Sequence, residues 1–176
     1  MKKMIYKLNG LEPKIGENNF IADTAAVVGR VITEKDVSIW FSAVMRAEVC
    51  DIYVGEKTSI QDNVTVHGDE DFPVKIGKNV TIGHNCVIHG CTIGDNSVIG
   101  MGSVVLNGAV IPPNSLVGAH SLVTPSLKCE EGTLIIGSPA KSVKKLSEEQ
   151  REYLKYSSDF YIDEIDNYLK KLERVK

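Results

Sequence analysis

An aliphatic residue recurs at every sixth position through the middle of the chain, and this period constrains the fold more than any other feature. A small or short side chain stands four residues after most of these positions, and glycine often follows directly. A fixed six-residue period is typical of a parallel β-helix, in which short strands stack coil upon coil. The column comprises Ile76, Ile82, Ile88 and then, after one five-residue step, Ile93, Ile99, Val105, Ile111, Val117 and Val123.

Each six-residue unit is expected to form one side of a triangular coil, so that about 18 residues return the chain to the same face. One coil alone cannot bury its inner face, and several must therefore stack. A β-sandwich would instead show alternation with period two and strands that recur at about 8–12 residues. The repeat continues upstream through Val54, Ile60 and Val66, and less regularly through Ile39 and Met45.

We therefore predict a mainly β protein in two parts. Residues 1–140 form the β-helix domain, in which residues 1–18 are loops that lead to the first coil. Residues 141–176 form a C-terminal helix that packs on the β-helix. Ser147 and Gln150 match a capping box at the start of this helix.

Composition excludes several classes of partner. A net charge of −3 and a pI near 5.8 argue against nucleic acid or an anionic membrane as a partner held by charge. There is no apolar run long enough for a membrane span or a signal peptide, which predicts a soluble, cytoplasmic protein. The four cysteines show no CxxC spacing and are expected to be reduced and structural.

Three of the four histidines fall within 23 residues, and the coil register relates two of them. The register is interrupted by a loop after Val66 and resumes at Ile76. His67 and His89 are therefore expected to stack one coil apart, about 4.8 Å from each other, close enough to share a metal ion. His84 falls near a corner of the preceding side, where it could reach that ion only from a neighbouring subunit. Three neutral imidazoles form a known catalytic zinc set.

These residues resemble those of the gamma-class carbonic anhydrases. The resemblance covers essentially the whole chain, including the Gly137–Lys141 turn after the β-helix. It rests on Arg46-Ala47-Glu48, Gln61-Asp62, His67 and the run from His84 to Gly90. It implies left-handed coils and a homotrimer that hydrates carbon dioxide to bicarbonate by metal-bound hydroxide. Each site would lie at a subunit interface, with His67 and His89 from one subunit and His84 from the next.

The resemblance also implies supporting roles. Gln61 would hydrogen-bond the bound water or bicarbonate, and Arg46, Glu48 and Asp62 would form a charged network at the interface. Glu70, in the loop after His67, is the better candidate to carry the proton, and Tyr161 of the terminal helix would approach the site. The family usually has Arg-Gly-Asp where this chain has Arg46-Ala47-Glu48, so one side chain is longer here. Zn²⁺ is the expected ion, although imidazole also suits Fe²⁺ and Co²⁺.

Two other functions fit the same repeat. Many hexapeptide-repeat enzymes are acetyl-CoA-dependent acyltransferases, which typically use a histidine as general base without a metal. The third hypothesis is a catalytically silent scaffold that binds metal.

Overall fold

The computed structural model describes residues 3–175 and shows a parallel β-helix followed by a helix, as the six-residue period predicts. Three strand-bearing faces enclose the core. The first face contains β2 (Phe20–Ile21), β4 (Ser38–Ile39), β6 (Ser59–Ile60), β9 (Thr81–Ile82), β12 (Val98–Ile99), β15 (Leu116–Val117) and β17 (Thr133–Gly137), all parallel neighbours.

Two long strands turn from the second face to the third, namely β3 (Ala26–Thr33) and β5 (Val44–Val54). Their first halves belong to the second face, with β7 (Thr65–His67), β10 (Val87–His89), β13 (Val104–Val105) and β16 (Leu122–Val123). Their second halves belong to the third face, with β8 (Val74–Ile76), β11 (Thr92–Ile93) and β14 (Val110–Ile111).

The aliphatic column fills the interior of the coils. Every member from Ile76 to Val123 is at most 1 % exposed, as are Ile39, Met45, Ile60 and Val66. Burying one such side chain stabilises the fold by about 1.5–3 kcal/mol. The prediction of an inward column is therefore confirmed over its full length.

Asparagine occupies many of the coil corners because it tolerates the left-handed backbone conformation that the corners require. Asn79, Asn96 and Asn114 all have φ between 53° and 57°. Their side chains also form a ladder, in which Asn79 donates to Asn96 over 3.0 Å and Asn96 donates to Asn114 over 3.1 Å.

Both ends of the β-helix are covered. The N-terminal segment, which we predicted to be loops, instead contains strand β1 (Met4–Tyr6), and this strand pairs with β3. The pairing satisfies backbone groups that the first coil would otherwise expose. At the other end, β18 (Ala140–Lys145) folds back antiparallel to β17. The predicted division at residue 140 thus falls at the start of a strand, and the helix begins eight residues later, at Glu148.

Helix α1 (Glu148–Lys171) lies against the first face of the β-helix. The predicted capping box is present: the Ser147 side chain accepts from the Gln150 backbone, and the Gln150 side chain accepts from the Ser147 backbone. Leu154 and Ile165 are buried, and the Tyr168 ring packs 4.8 Å from the Trp40 ring. The helix therefore follows the first face back towards the N-terminal coils.

All four cysteines are unpaired, as predicted; Cys50, Cys86 and Cys91 are buried and Cys129 is half-buried. Burial raises the pKa of the Cys86 thiol to about 11 and that of the Cys91 thiol to about 12. Among the described residues, no helix is long and apolar enough to cross a membrane. Cytoplasmic location stays a prediction.

Candidate metal centre

His67 and His89 are directly paired in neighbouring strands at the corner where the second face ends. Their ring centroids lie 5.0 Å apart, and the Nδ1 atom of His67 is 3.0 Å from the Nε2 atom of His89. Each follows an inward residue of the column, Val66 or Ile88, and so projects outward. The predicted stacking of these two histidines is confirmed.

Fixed acceptors determine which ring nitrogen of each histidine carries the proton. His67 Nε2 is 3.0 Å from Glu48 Oε1, and a carboxylate can only accept, so this nitrogen donates. His89 Nδ1 is 2.5 Å from the side-chain oxygen of Asn107, which also only accepts. The Asn107 amide is held in this orientation because its nitrogen donates to Asp69 Oδ2 over 2.5 Å.

The two remaining ring nitrogens therefore present lone pairs to each other. Facing lone pairs at 3.0 Å repel unless a proton or a metal ion lies between them, so the pair of neutral rings suits a metal ion. In tetrahedral zinc sites, ligand nitrogens at ~2.0 Å from the metal lie about 3.3 Å from one another. The two imidazoles are close to that separation and need to open only slightly.

The surroundings keep His67 neutral, which metal binding requires. Burial lowers the pKa of His67, the Arg46 guanidinium and His89 lower it further, and Asp69 opposes them. Arg46 forms an ion pair with Glu48 in the same chain. The second carboxylate oxygen of Glu48 is buried and has no hydrogen-bond partner among the described residues.

A backbone feature at the same corner makes room for Asn107. Gly90 follows His89 with φ of 55°, and a Cβ at this position would collide with the Asn107 side-chain oxygen. Glycine is therefore favoured by the left-handed conformation and required by the lack of space. We call His67, His89, Glu48 and Asn107 the paired-histidine half-site.

His84, Asp62, Gln61 and Tyr161 form a second cluster at the opposite edge of the second face, the His84 half-site. His84 Nδ1 lies 2.8 Å from Asp62 Oδ2, so this nitrogen donates when the ring is neutral, and Nε2 is left with its lone pair. The side-chain oxygen of Gln61 accepts from the His84 backbone over 3.1 Å. Burial raises the pKa of Tyr161 and Asp62 raises it further, because the helix brings this tyrosine beside the cluster.

The structure separates these two half-sites within one chain. His84 lies in the turn before β10, whereas His89 is the last residue of that strand, so the strand crosses the second face between them. Within the described residues, the side chains close enough to share an ion are those of His67, His89 and Asp69, without His84. The prediction that His84 cannot reach the pair in its own chain agrees with this geometry.

An outward-facing column, aliphatic except for Thr65, lies between the two half-sites. Val44, Thr65, Val87, Val104 and Leu122 are successive register partners on the second face. Val44 and Val87 are 37 % and 38 % exposed. A row of exposed, mostly apolar side chains of this kind is typical of a protein interface.

The acidic loop after His67 places its carboxylates differently from one another. Asp69 and Phe72 form a small antiparallel bridge, with Glu70 and Asp71 at its exposed tip. Asp69 points back to Asn107, whereas Glu70 faces solvent. The assignment of Glu70 as the proton carrier stays a prediction.

Sequence reasoning missed Asn107, although the repeat contains the signal for it. Asn107 follows His89 by 18 residues, which is one coil. A search for polar residues one coil beyond each histidine would have identified it. The contact with Asp69 spans 38 residues and depends on the loop conformation, which the repeat does not encode.

Comparisons with known proteins identify the family. A sequence-family profile described as "Hexapeptide repeat of succinyl-transferase" matches residues 73–107. A carbonic anhydrase of Geobacillus kaustophilus is 36 % identical over 98 % of this chain and 94 % of its own length. Gamma carbonic anhydrase 2 of Arabidopsis thaliana mitochondria is 40 % identical over 86 % of this chain, which spans 56 % of that relative.

The fold is also found in solved structures. A crystal structure of a hexapeptide transferase family protein from Anaplasma phagocytophilum superposes with a TM-score of 0.91 at 40 % identity, covering 96 % of this chain and 99 % of that one. The coils and histidines of this chain and the names of these relatives indicate the same family. The chain belongs to the gamma-class carbonic anhydrase-like family of hexapeptide-repeat proteins.

Proposed function

We propose that this protein is a metal-dependent enzyme that hydrates carbon dioxide to bicarbonate, and that it works as a homotrimer. His67 and His89 of one subunit and His84 of the next would hold the ion. Zn²⁺ is the first candidate, and Fe²⁺ and Co²⁺ also suit imidazole ligands. A zinc ion held in this way supplies hydroxide at neutral pH.

One observation carries the proposal: each of the three imidazoles has one ring nitrogen engaged by a fixed acceptor. The acceptors are Glu48 for His67, Asn107 for His89 and Asp62 for His84. Such acceptors orient metal-binding histidines and make the free nitrogen a better ligand. Histidines with ordinary surface roles do not need such an acceptor, yet all three of these histidines have one.

The second face supports a shared site. The exposed column lies between the two half-sites of one chain. A neighbouring copy that covers this column would therefore bring its own His84 half-site beside the paired-histidine half-site of the first chain. Most soluble oligomers have closed rotational symmetry, in which every interface is the same. A three-fold ring of this kind would complete one site at each interface.

The remaining residues would act on substrate and proton. Gln61 is buried and held by the His84 backbone, so its amide can present fixed hydrogen-bonding groups to bicarbonate and water. Arg46 carries a positive charge beside Glu48 at the other half-site and would attract the anionic product. Glu70 is exposed at its loop tip, from which it can exchange a proton with bulk water. Tyr161 lies beside Asp62 and would border the substrate space.

The test combines metal content, mass and activity. Wild-type protein should contain about one ion per chain, run as a trimer and hydrate carbon dioxide, whereas His84→Ala should lose most of its metal. His120→Ala is the matched control because His120 is exposed at a corner and belongs to neither half-site. Equal metal content in all three proteins would refute the shared site.

The same experiment separates the other two hypotheses. Metal-free wild-type protein that binds acetyl-CoA would favour an acyltransferase; the Anaplasma relative is described as a hexapeptide transferase family protein. A metal-loaded trimer with no hydration of carbon dioxide would favour a silent scaffold.

A further inference from the structure

We propose that Asn107, held by Asp69, is a positioning residue that keeps the proton of His89 on Nδ1 and so keeps the metal position open. This inference rests on the metal site of the proposed function. It assigns a role to a side chain that would not touch the ion, the substrate or the reacting atoms.

His89, Asn107 and Asp69 are joined by two hydrogen bonds, and the direction of each follows from Asp69. Asp69 Oδ2 can only accept, so the Asn107 atom 2.5 Å away is the amide nitrogen. The amide oxygen must then face His89, 2.5 Å from its Nδ1. That nitrogen must donate, so in the neutral ring Nε2 carries no proton.

Without Asn107, a competing arrangement becomes available to the two histidines. A proton on His89 Nε2 could be donated to His67 Nδ1, which lies 3.0 Å away. The two imidazoles would then satisfy each other, and the lone pairs needed for a metal would be used in a hydrogen bond. Asn107 thus favours the arrangement in which both lone pairs are available to a metal over the one in which the two histidines hydrogen-bond each other.

The fold also anchors the acidic loop through this asparagine. Asn107 lies in the next coil, in a turn completed by Gly108 at φ of 71°. Asp69 reaches it across the corner from the loop after His67. The missing side chain of Gly90 leaves the space that the amide occupies. Each of these features holds the amide where it meets His89.

The first test determines, in metal-free protein, which ring nitrogen of His89 carries the proton. In metal-free protein, ¹⁵N shifts of the histidine ring should show Nδ1–H for His89 in the wild type and a shift towards Nε2–H in Asn107→Leu. Affinity for Zn²⁺ should fall by about 10–100-fold, the usual effect of removing such a partner. Asn96→Gly is the control: it removes another corner asparagine, keeps the left-handed backbone at φ of 55°, lies away from both half-sites, and should change neither reading.

A charge-preserving exchange provides the rescue. In Asp69→Asn/Asn107→Asp, the carboxylate at position 107 can accept both from His89 and from the amide at position 69. The double variant should regain the Nδ1–H form and most of the Zn²⁺ affinity that Asn107→Leu loses. Asp69→Asn alone should lose affinity, because it leaves the Asn107 amide free to rotate.

Two results would overturn the inference. One is an unchanged His89 tautomer in Asn107→Leu. The other is a double variant that stays as weak as Asp69→Asn, which would make Asp69 a metal ligand instead. If wild-type protein binds no metal, the proposed function fails, yet the tautomer measurement still decides the role of Asn107.

Discussion

Mixing two inactive variants should restore metal sites if the half-sites of different subunits meet. His84→Ala keeps the paired-histidine half-site, and His89→Ala keeps the His84 half-site. Neither variant alone can build a complete site. A subunit of the first kind next to a subunit of the second kind can build one, because the two half-sites lie at opposite edges of the second face.

The expected recovery follows from counting interfaces. With random assembly of equal amounts in a ring, one interface in about four has the first variant supplying the pair and the second supplying His84. Metal content should therefore rise from near zero to about a quarter of an ion per chain, with one site per interface. Any activity should rise in the same proportion.

The assay is elemental analysis of co-expressed variants, each carrying a different tag, after purification on both tags in turn. Purification on both tags removes trimers that contain only one variant. It therefore raises the metal content per chain above the value expected for random assembly. The matched control is a mixture of His67→Ala with His89→Ala. Both changes damage the same half-site, so this mixture should stay empty. Equal metal in the two mixtures, or none in either, would refute the site shared between subunits.

Three further predictions concern the scaffold. Ile99→Ala should lower the free energy of unfolding by about 2–5 kcal/mol in urea denaturation, whereas Val110→Ala, 56 % exposed on the third face, should change it by less than about 0.5 kcal/mol. A hydrogen bond to Glu34, aided by burial, raises the pKa of Tyr53 to about 12, from an ordinary value of about 10. Its stabilising contribution is thus present below pH ~10 and lost as the pH rises towards 12, so the stability difference between wild type and Tyr53→Phe should shrink over that interval. Ser147→Ala should remove the helix cap and cost about 1 kcal/mol, with a loss of helical circular dichroism.

The repeat made the scaffold predictable from sequence because one inward side chain per six residues leaves few other ways to bury it. The same register placed His67 over His89 correctly, since stacked coils turn a separation along the chain into a fixed position. The N-terminal strand β1 escaped prediction because its three residues carry no repeat. It forms only because β3 offers an unpaired edge.

The polar residues of the site were predictable only in part. Glu48 and Asp62 could be named from the resemblance, but their partners could not, because a hydrogen bond depends on the corner conformation. Tyr161 was harder still. Its place beside Asp62 depends on the path of helix α1 along the first face, which an apolar stripe does not determine.

The loop that carries Asp69 leaves the coil after His67 and rejoins the array at β8. Strands on both sides of it keep their pairing, with His67 opposite His89 and Val54 opposite Ile76. The part of the loop beyond Asp69 can therefore lengthen or shorten without moving the histidines. Evolution, or a protein engineer, can exchange residues 70–73 while Asp69 keeps its contact with Asn107, so that the surface beside the histidine pair can be changed independently of folding.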